Sequence, residues 1–126
     1  MRAKPVDTAF LQAFADAWNR HDIDALMGFM TEDCVFESSL GPEACGTRYE
    51  GVAAVREGFS RGWRDYPNAQ WLNARHFVSG DRGVSEWTFT GNRASDGARM
   101  ETNGCDLFTF HEGRIRIKNS WRKART

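Results

Sequence analysis

Apolar residues recur at helical spacing in the first part of the chain. A helix is predicted from Asp7, which is suited to cap it, to about Asn19. Its apolar positions are Phe10, Leu11, Phe14, Ala17 and Trp18. After the break at "NRHD", Asp22 is suited to cap a second, short helix. A third helix is predicted from about Val52 to Trp63, and it ends before Pro67, which cannot continue a helix.

The second half of the chain alternates between apolar and polar positions, which predicts β-strands. Four strands are expected near 71–78, 83–90, 99–110 and 114–122, after an earlier short strand near 34–37. The segment "SLGPEACGTRYEG" is predicted to be a loop because it is rich in glycine and contains a proline. Helices followed by an antiparallel meander predict an α+β fold with the helices on one face of a curved sheet.

Short turns between the strands predict which side chains share a face. A two-residue turn at Glu112-Gly113 places Asp106 opposite Asn119, on the face that carries Phe108 and Phe110. Loops of two or four residues at "SDG" and "SGDR" add further residues to this inner face, whereas an odd loop would reverse a strand. The added residues are Trp87, Phe89, Leu72, Ala74, His76 and Val78.

Three polar side chains thus enter an apolar interior: His76, Asp106 and Asn119. His76 and Asp106 are expected two strands apart, roughly 10 Å, a distance that suits a small ligand between them. Burial without a cationic partner favours the neutral form of Asp106, which would make it a proton donor. The alternatives are a structural Asp106 bonded to Asn119 or to a helix-end amide, and a His76 bonded to the backbone.

The amino-acid composition limits the classes of binding partner that are expected. The chain has 126 residues, which predicts a single domain over residues 1–126. Its 17 basic and 17 acidic residues give no net charge, so nucleic acid is not expected as a partner. Five Trp and nine Phe are more large rings than so short a chain can fully bury. Some of these rings are therefore expected to line a pocket or an interface.

No pattern in the sequence indicates a metal or a membrane. The three cysteines form no CxxC pair and no cluster with histidine at metal-ligand spacing, so no metal site is predicted. The odd count favours free thiols in a reducing compartment. The segment "MRAKPVDTAF" lacks the apolar region of a leader, and no run reaches membrane-spanning length. A soluble, cytoplasmic protein without a membrane partner is predicted.

Four motifs carry a family resemblance over nearly the whole chain. They are "FADAWNRHDIDALMGFMTEDCVFE", "GTRYEGVAAVREGF", "GDRGVSEWTFTG" and "GCDLFTFHEGRI". In this order and spacing they resemble the SnoaL-like polyketide cyclase and ketosteroid isomerase-like branch of the nuclear transport factor 2 (NTF2-like) superfamily. The resemblance implies a cone-shaped fold, in which a bent antiparallel sheet wraps around N-terminal helices and encloses an apolar pocket. It also implies a homodimer, expected here through the convex face of the sheet.

The resemblance also implies functional positions. Asp106 falls where ketosteroid isomerases keep a neutral acid, a behaviour for which that enzyme is a known example, and where polyketide cyclases keep an acid/base aspartate. The isomerases' general base falls on Ser38, their first-helix tyrosine on Phe14, and an acid found in many relatives on Ser120. Steroid isomerisation is therefore not expected.

Two functions follow from the sequence. The first is a cofactor-independent isomerase, cyclase or dehydratase that acts on a small apolar carbonyl or enol compound, with Asp106 and His76 as catalytic residues. The second is a non-enzymatic ligand-binding or dimeric interaction module with a vestigial pocket. For either function, or as plain core residues, the positions expected at the pocket are Asn119, Trp18, Phe14, Ser38, Trp87, Phe89, Phe108 and Trp121.

Overall fold

The computed structural model describes residues 4–126. Residues 1–3, which belong to the segment predicted to lack a leader, lie outside the described residues. The helices are α1 (Thr8–Asn19), α2 (Ile23–Gly28) and α3 (Val52–Asp65). The strands are β1 (Met30–Glu37), β2 (Arg48–Glu50), β3 (Gln70–Ser79), β4 (Arg82–Asn92), β5 (Arg99–His111) and β6 (Arg114–Arg122).

The predicted caps begin the first two helices. The Asp7 carboxylate accepts a hydrogen bond from the backbone N–H of Phe10 at 2.8 Å, and the Asp22 carboxylate accepts one from Ala25 at 3.1 Å. The apolar side of α1 is buried, as its spacing predicted. Within residues 4–126, every helix is too short or too polar to cross a membrane.

Strands of the described residues form one sheet in the order β2-β1-β6-β5-β4-β3. Neighbouring strands are antiparallel except β1 and β6, which are parallel. The sheet bends around the helices, with α1 packed on β3 and α3 on β1 and β2. The fold is therefore the predicted α+β cone. The sequence pattern missed β2, which lies inside the segment predicted to be a loop, and it started β1 too late.

The turns confirm most of the predicted faces. Two-residue turns join β3 to β4 at Gly80-Asp81 and β5 to β6 at Glu112-Gly113. Glu112 and Gly113 have φ angles of 49° and 78°, typical of a tight hairpin turn. The loop between β4 and β5 spans residues 93–98 and is longer than predicted. Because its length is still even, Trp87 and Phe89 lie on the Asp106 face as expected.

A bulge in β6 overturns the predicted pairing of Asp106. Phe110 pairs with Ile115, but Thr109 pairs with Ile117, so Arg116 is an extra residue in the strand. The shift reverses the rest of β6 relative to β5. Asp106 therefore pairs with Ser120, and the prediction that it faces Asn119 is wrong.

The same shift changes which β6 side chains enter the cone. Strict alternation from the predicted pairing of Asp106 with Asn119 would place Lys118 on the outer face, and it is buried instead. Trp121 was predicted to lie inside, and it is 55% exposed on the outer face. Asn119 likewise lies on the outer face, because it alternates with Lys118 along the strand.

A second bulge, in β3, turns one more residue away from its predicted face. Leu72 pairs with Thr88, but Arg75 pairs with Glu86, and Asn73 between them has a φ of 57°. Leu72 is thereby turned outward and is 43% exposed, contrary to the prediction. Past the bulge, His76 returns to the predicted inner face, opposite Ser85.

Gly104 allows β5 and β6 to pass close to the Trp87 ring. A Cβ atom at this position would lie 2.6 Å from that ring and 2.4 Å from the carbonyl oxygen of Trp121. We expect Gly104→Ala to displace Trp87 and to lower the free energy of unfolding by about 1–3 kcal/mol, measured by urea denaturation. Gly62→Ala in α3 is the control. Its Cβ would meet no atom within 4 Å, so this change should stabilise the protein. Equal stability of the two variants would contradict the close packing at Gly104.

Candidate active site

Asp106 receives three donors inside the cone. The residue is 6% exposed. Its Oδ1 accepts a hydrogen bond from the Ser120 hydroxyl at 2.6 Å and lies 3.0 Å from the Lys118 ammonium. Its Oδ2 accepts a hydrogen bond from the indole N–H of Trp87 at 3.0 Å. The sequence predicted a neutral Asp106 because it assumed burial without a cationic partner. Lys118 is such a partner, so that assumption is wrong.

Lys118 is an ammonium surrounded by aromatic rings. Its side chain is 7% exposed, and Nζ lies 4.7 Å from the ring centroid of Phe36 and 5.0 Å from that of Trp18. Nζ also donates a hydrogen bond to the Ser120 hydroxyl at 2.8 Å. Burial lowers the pKa of Lys118, Asp106 opposes this effect, and the nearby Arg122 adds to it. Lys118, Ser120 and Asp106 thus form a connected polar group.

This polar group lies beside a cavity of about 230 Å³. Lys118, Ser120 and Arg122 contribute polar side chains to its wall from β6, and Ser38 lines the same cavity. The rest of the wall combines glycines and polar residues with seven aromatic side chains, which are Trp18, Phe36, Tyr49, Phe59, Tyr66, Trp71 and Trp87. The volume is below the roughly 300–1,000 Å³ of sites for drug-sized ligands, so the cavity suits a smaller molecule.

A small extension of about 20 Å³ reaches Asp106 itself. It shares the side chains of Trp18, Trp87 and Lys118 with the larger cavity, and its own lining adds Asp106 and Ser85. Phe14 and Phe108 close its apolar side. The carboxylate is therefore adjacent to space for about one water-sized group.

Arg122 is a second, half-buried cation in the cavity wall. Its guanidinium carbon lies 3.9 Å from the ring centroid of Phe89 and 5.8 Å from that of Trp87. Burial lowers the pKa of Arg122, and Asp106 opposes this effect. Among residues 4–126, the buried Nε–H of Arg122 has no hydrogen-bond partner.

His76 reaches the site only through Ser85. Its Nδ1 lies 2.7 Å from the Ser85 hydroxyl, and its Nε2 lies 2.9 Å from the side-chain oxygen of Gln12. Ser85 pairs with both His76 and Asp106 in the sheet, so the two candidate catalytic residues are two strands apart, as predicted. Burial lowers the pKa of His76, whereas Asp16 raises it.

The other predicted site residues fall into three groups. Trp18, Trp87 and Ser38 line the larger cavity, and Phe14 and Phe108 line the small extension. Phe89 is buried and stacks against Arg122. Asn119 and Trp121 line a third cavity, which shares Ser38, Ser120 and Arg122 with the larger one.

Sequence reasoning missed Lys118, Arg122 and Ser85, and noted Ser120 only as a position where relatives carry an acid. One feature of the sequence could have indicated Lys118. A buried carboxylate needs a partner, and a one-residue shift of β6 turns Lys118 toward Asp106.

Comparisons with known proteins agree with this architecture. A family model described as a SnoaL-like domain matches residues 11–117. A search of the curated proteins found no match.

Solved structures have the same fold. A candidate polyketide cyclase from Xanthomonas campestris pv. campestris matches with a TM-score of 0.81 at 24% identity, over 92% of this chain and 89% of that chain. A protein with a cystatin-like fold from Xanthomonas campestris gives 0.80 at 16% identity, over 93% and 90%. A ketosteroid isomerase-like protein from Catenulispora acidiphila DSM 44928, in complex with trimethylamine, gives 0.76 at 16% identity, over 88% and 82%. The predicted NTF2-like cone is thereby confirmed.

Removing one member of the buried ion pair leaves an unpaired charge. We expect Lys118→Met to lower the free energy of unfolding by about 3–5 kcal/mol, measured by urea denaturation at pH 7. The double variant Lys118→Met/Asp106→Asn should lose less than the sum of the two single variants, since neither charge then remains alone. Lys123→Met, at an exposed position, is the control and should be neutral. Additive losses in the double variant would contradict the pairing.

Proposed function

The chain belongs to the SnoaL-like domain family, and from that premise we propose that it is a cofactor-independent isomerase, cyclase or dehydratase. Its substrate would be a small, largely apolar carbonyl or enol compound, and Asp106 would be the central catalytic residue. The observation that carries the proposal is the polar group of Asp106, Ser120 and Lys118 beside a cavity lined in part by aromatic rings. An apolar cavity with a few convergent polar groups is typical of small-molecule sites.

The contact with the Lys118 ammonium suits the Asp106 carboxylate to the role of a general base. Its Oδ2 accepts one hydrogen bond, from Trp87, and keeps a lone pair for a proton. In this mechanism Asp106 removes a proton from the carbon next to the substrate carbonyl, and an enolate forms. Returning the proton to another carbon isomerises the substrate, and attack of the enolate on a second carbonyl closes a ring.

Lys118 is placed to stabilise the negative charge of that enolate. Two of its three N–H donors are directed at Asp106 and Ser120, so one remains for a ligand oxygen. The aromatic surroundings exclude water, which strengthens the attraction between the ammonium and the enolate. We retain His76 in the proposal as a positioning residue that acts through Ser85.

A non-enzymatic role is the second candidate. Asp106 already accepts three contacts within the chain, as a purely structural carboxylate would. In addition, Leu72, Phe77 and Trp121 are 43%, 57% and 55% exposed on the outer face of the sheet. Exposed apolar side chains of this size favour a contact with a second copy of the chain or with another protein. Under this alternative the cavity binds a ligand without changing it.

Proton exchange separates the two candidates without knowledge of the natural substrate. Small enolisable ketones would be incubated with the protein in D₂O, and deuterium uptake next to the carbonyl would be followed by NMR. We expect uptake above the buffer rate, with a loss of about 10²–10⁴-fold in Asp106→Asn, because the base is removed. Lys118→Met should also slow exchange by removing the cation that stabilises the enolate.

Asp33→Asn is the matched control, since Asp33 pairs with Arg116 on the outer surface. This variant should exchange protons at the native rate. If Asp106→Asn folds and exchanges at the native rate as well, the enzymatic proposal is wrong. Ligand binding without any exchange in the native protein would favour the binding module.

A further inference from the structure

The larger cavity has an excess of positive charge. Asp106 and Lys118 form an ion pair and neutralise each other. Arg61 and Asp65, which also line the cavity, are exposed residues of opposite charge on α3. Arg122 is left as a half-buried cation, and Asp106, the carboxylate that acts on it, is already paired with Lys118. The interior therefore has one more positive charge than its own carboxylates balance.

Arg122 is also held in an orientation that suits recognition of an acceptor. Phe89 at 3.9 Å and Trp87 at 5.8 Å from its guanidinium carbon fix the side chain by stacking. The Nε–H is buried without an acceptor, which is costly unless a ligand provides one.

We propose that the ligand of this cavity is a planar, largely apolar molecule that bears an anionic oxygen, a carboxylate or an enolate, and that Arg122 binds this oxygen. The inference rests on the proposed function only in taking the cavity as the ligand site. A neutral carbonyl would satisfy the free N–H but not the buried charge. An anionic oxygen satisfies both, and a carboxylate matches the guanidinium with two parallel hydrogen bonds. The aromatic walls accept the planar body.

A matched pair of probes tests the charge requirement. Binding of 2-naphthoate and of 2-naphthamide would be measured by titration calorimetry at pH 7.5, since the two differ mainly in the charge of the polar end. We expect the native protein to bind naphthoate about 10–100-fold more tightly than naphthamide. Arg122→Met should remove this preference, with a much larger loss of affinity for naphthoate than for naphthamide. Arg116→Met, on the same strand but exposed at the surface, should keep the native preference.

Several outcomes would overturn the inference: equal affinity for the two probes, no binding of either probe by the folded native protein, or a preference that survives in Arg122→Met. If Arg122→Met does not fold, Arg122→Lys replaces it. That variant keeps the charge without the planar fork and should retain only part of the preference.

Failure of this inference is distinguishable from failure of the proposed function. In one case, neutral ketones exchange protons in an Asp106-dependent way that Arg122→Met does not affect, and the two probes bind equally. The enzymatic proposal would then stand, and the proposed anion site would be wrong. In the other case, the protein prefers naphthoate strongly but catalyses no proton exchange. The proposed anion site would then stand, and the enzymatic proposal would be wrong.

Discussion

The buried ion pair between Asp106 and Lys118 is the constraint on which the interior of this protein depends. Either charge alone in an aromatic core would carry a large desolvation cost, so the two must be buried together. Ser120 connects them, because its hydroxyl donates to Asp106 and accepts from Lys118. Trp87, which donates to the same carboxylate, forms part of the cavity wall. The electrostatics and the shape of the cavity are thus set by one group of contacts.

A single extra residue in β6 makes this arrangement possible. Without the bulge at Arg116, strict alternation would place Lys118 in solvent and Asn119 against Asp106. Helices, caps and two-residue turns could be predicted from the sequence because they depend on neighbours within a few residues. The two bulges, β2 and the parallel pairing of β1 with β6 depend on contacts between distant segments, and local patterns do not report them.

The candidate site was predictable in part for the same reason. Asp106 is conspicuous because it alternates with phenylalanines, and the two-strand separation from His76 follows from the number of residues in the turns. Lys118 and Arg122 resemble ordinary surface residues of an amphipathic strand until the bulge is known. The free-energy cost of burying Asp106 was the one available argument for the shifted register, since only that register provides a cation. Considering charge balance together with side-chain parity would have found the pair.

Lys118 is buried as the partner of Asp106, and NMR titration of the lysine Nζ and Cε signals can measure the effect of this environment on its pKa. Burial lowers the pKa of Lys118, and the Asp106 carboxylate partly restores it. In the native protein one lysine, identified by its loss in Lys118→Met, should therefore titrate below the usual lysine value of about 10.4. In Asp106→Asn the same signal should titrate at a still lower pH. A Lys118 signal that titrates with the exposed lysines, or one that Asp106→Asn leaves unmoved, would contradict the account.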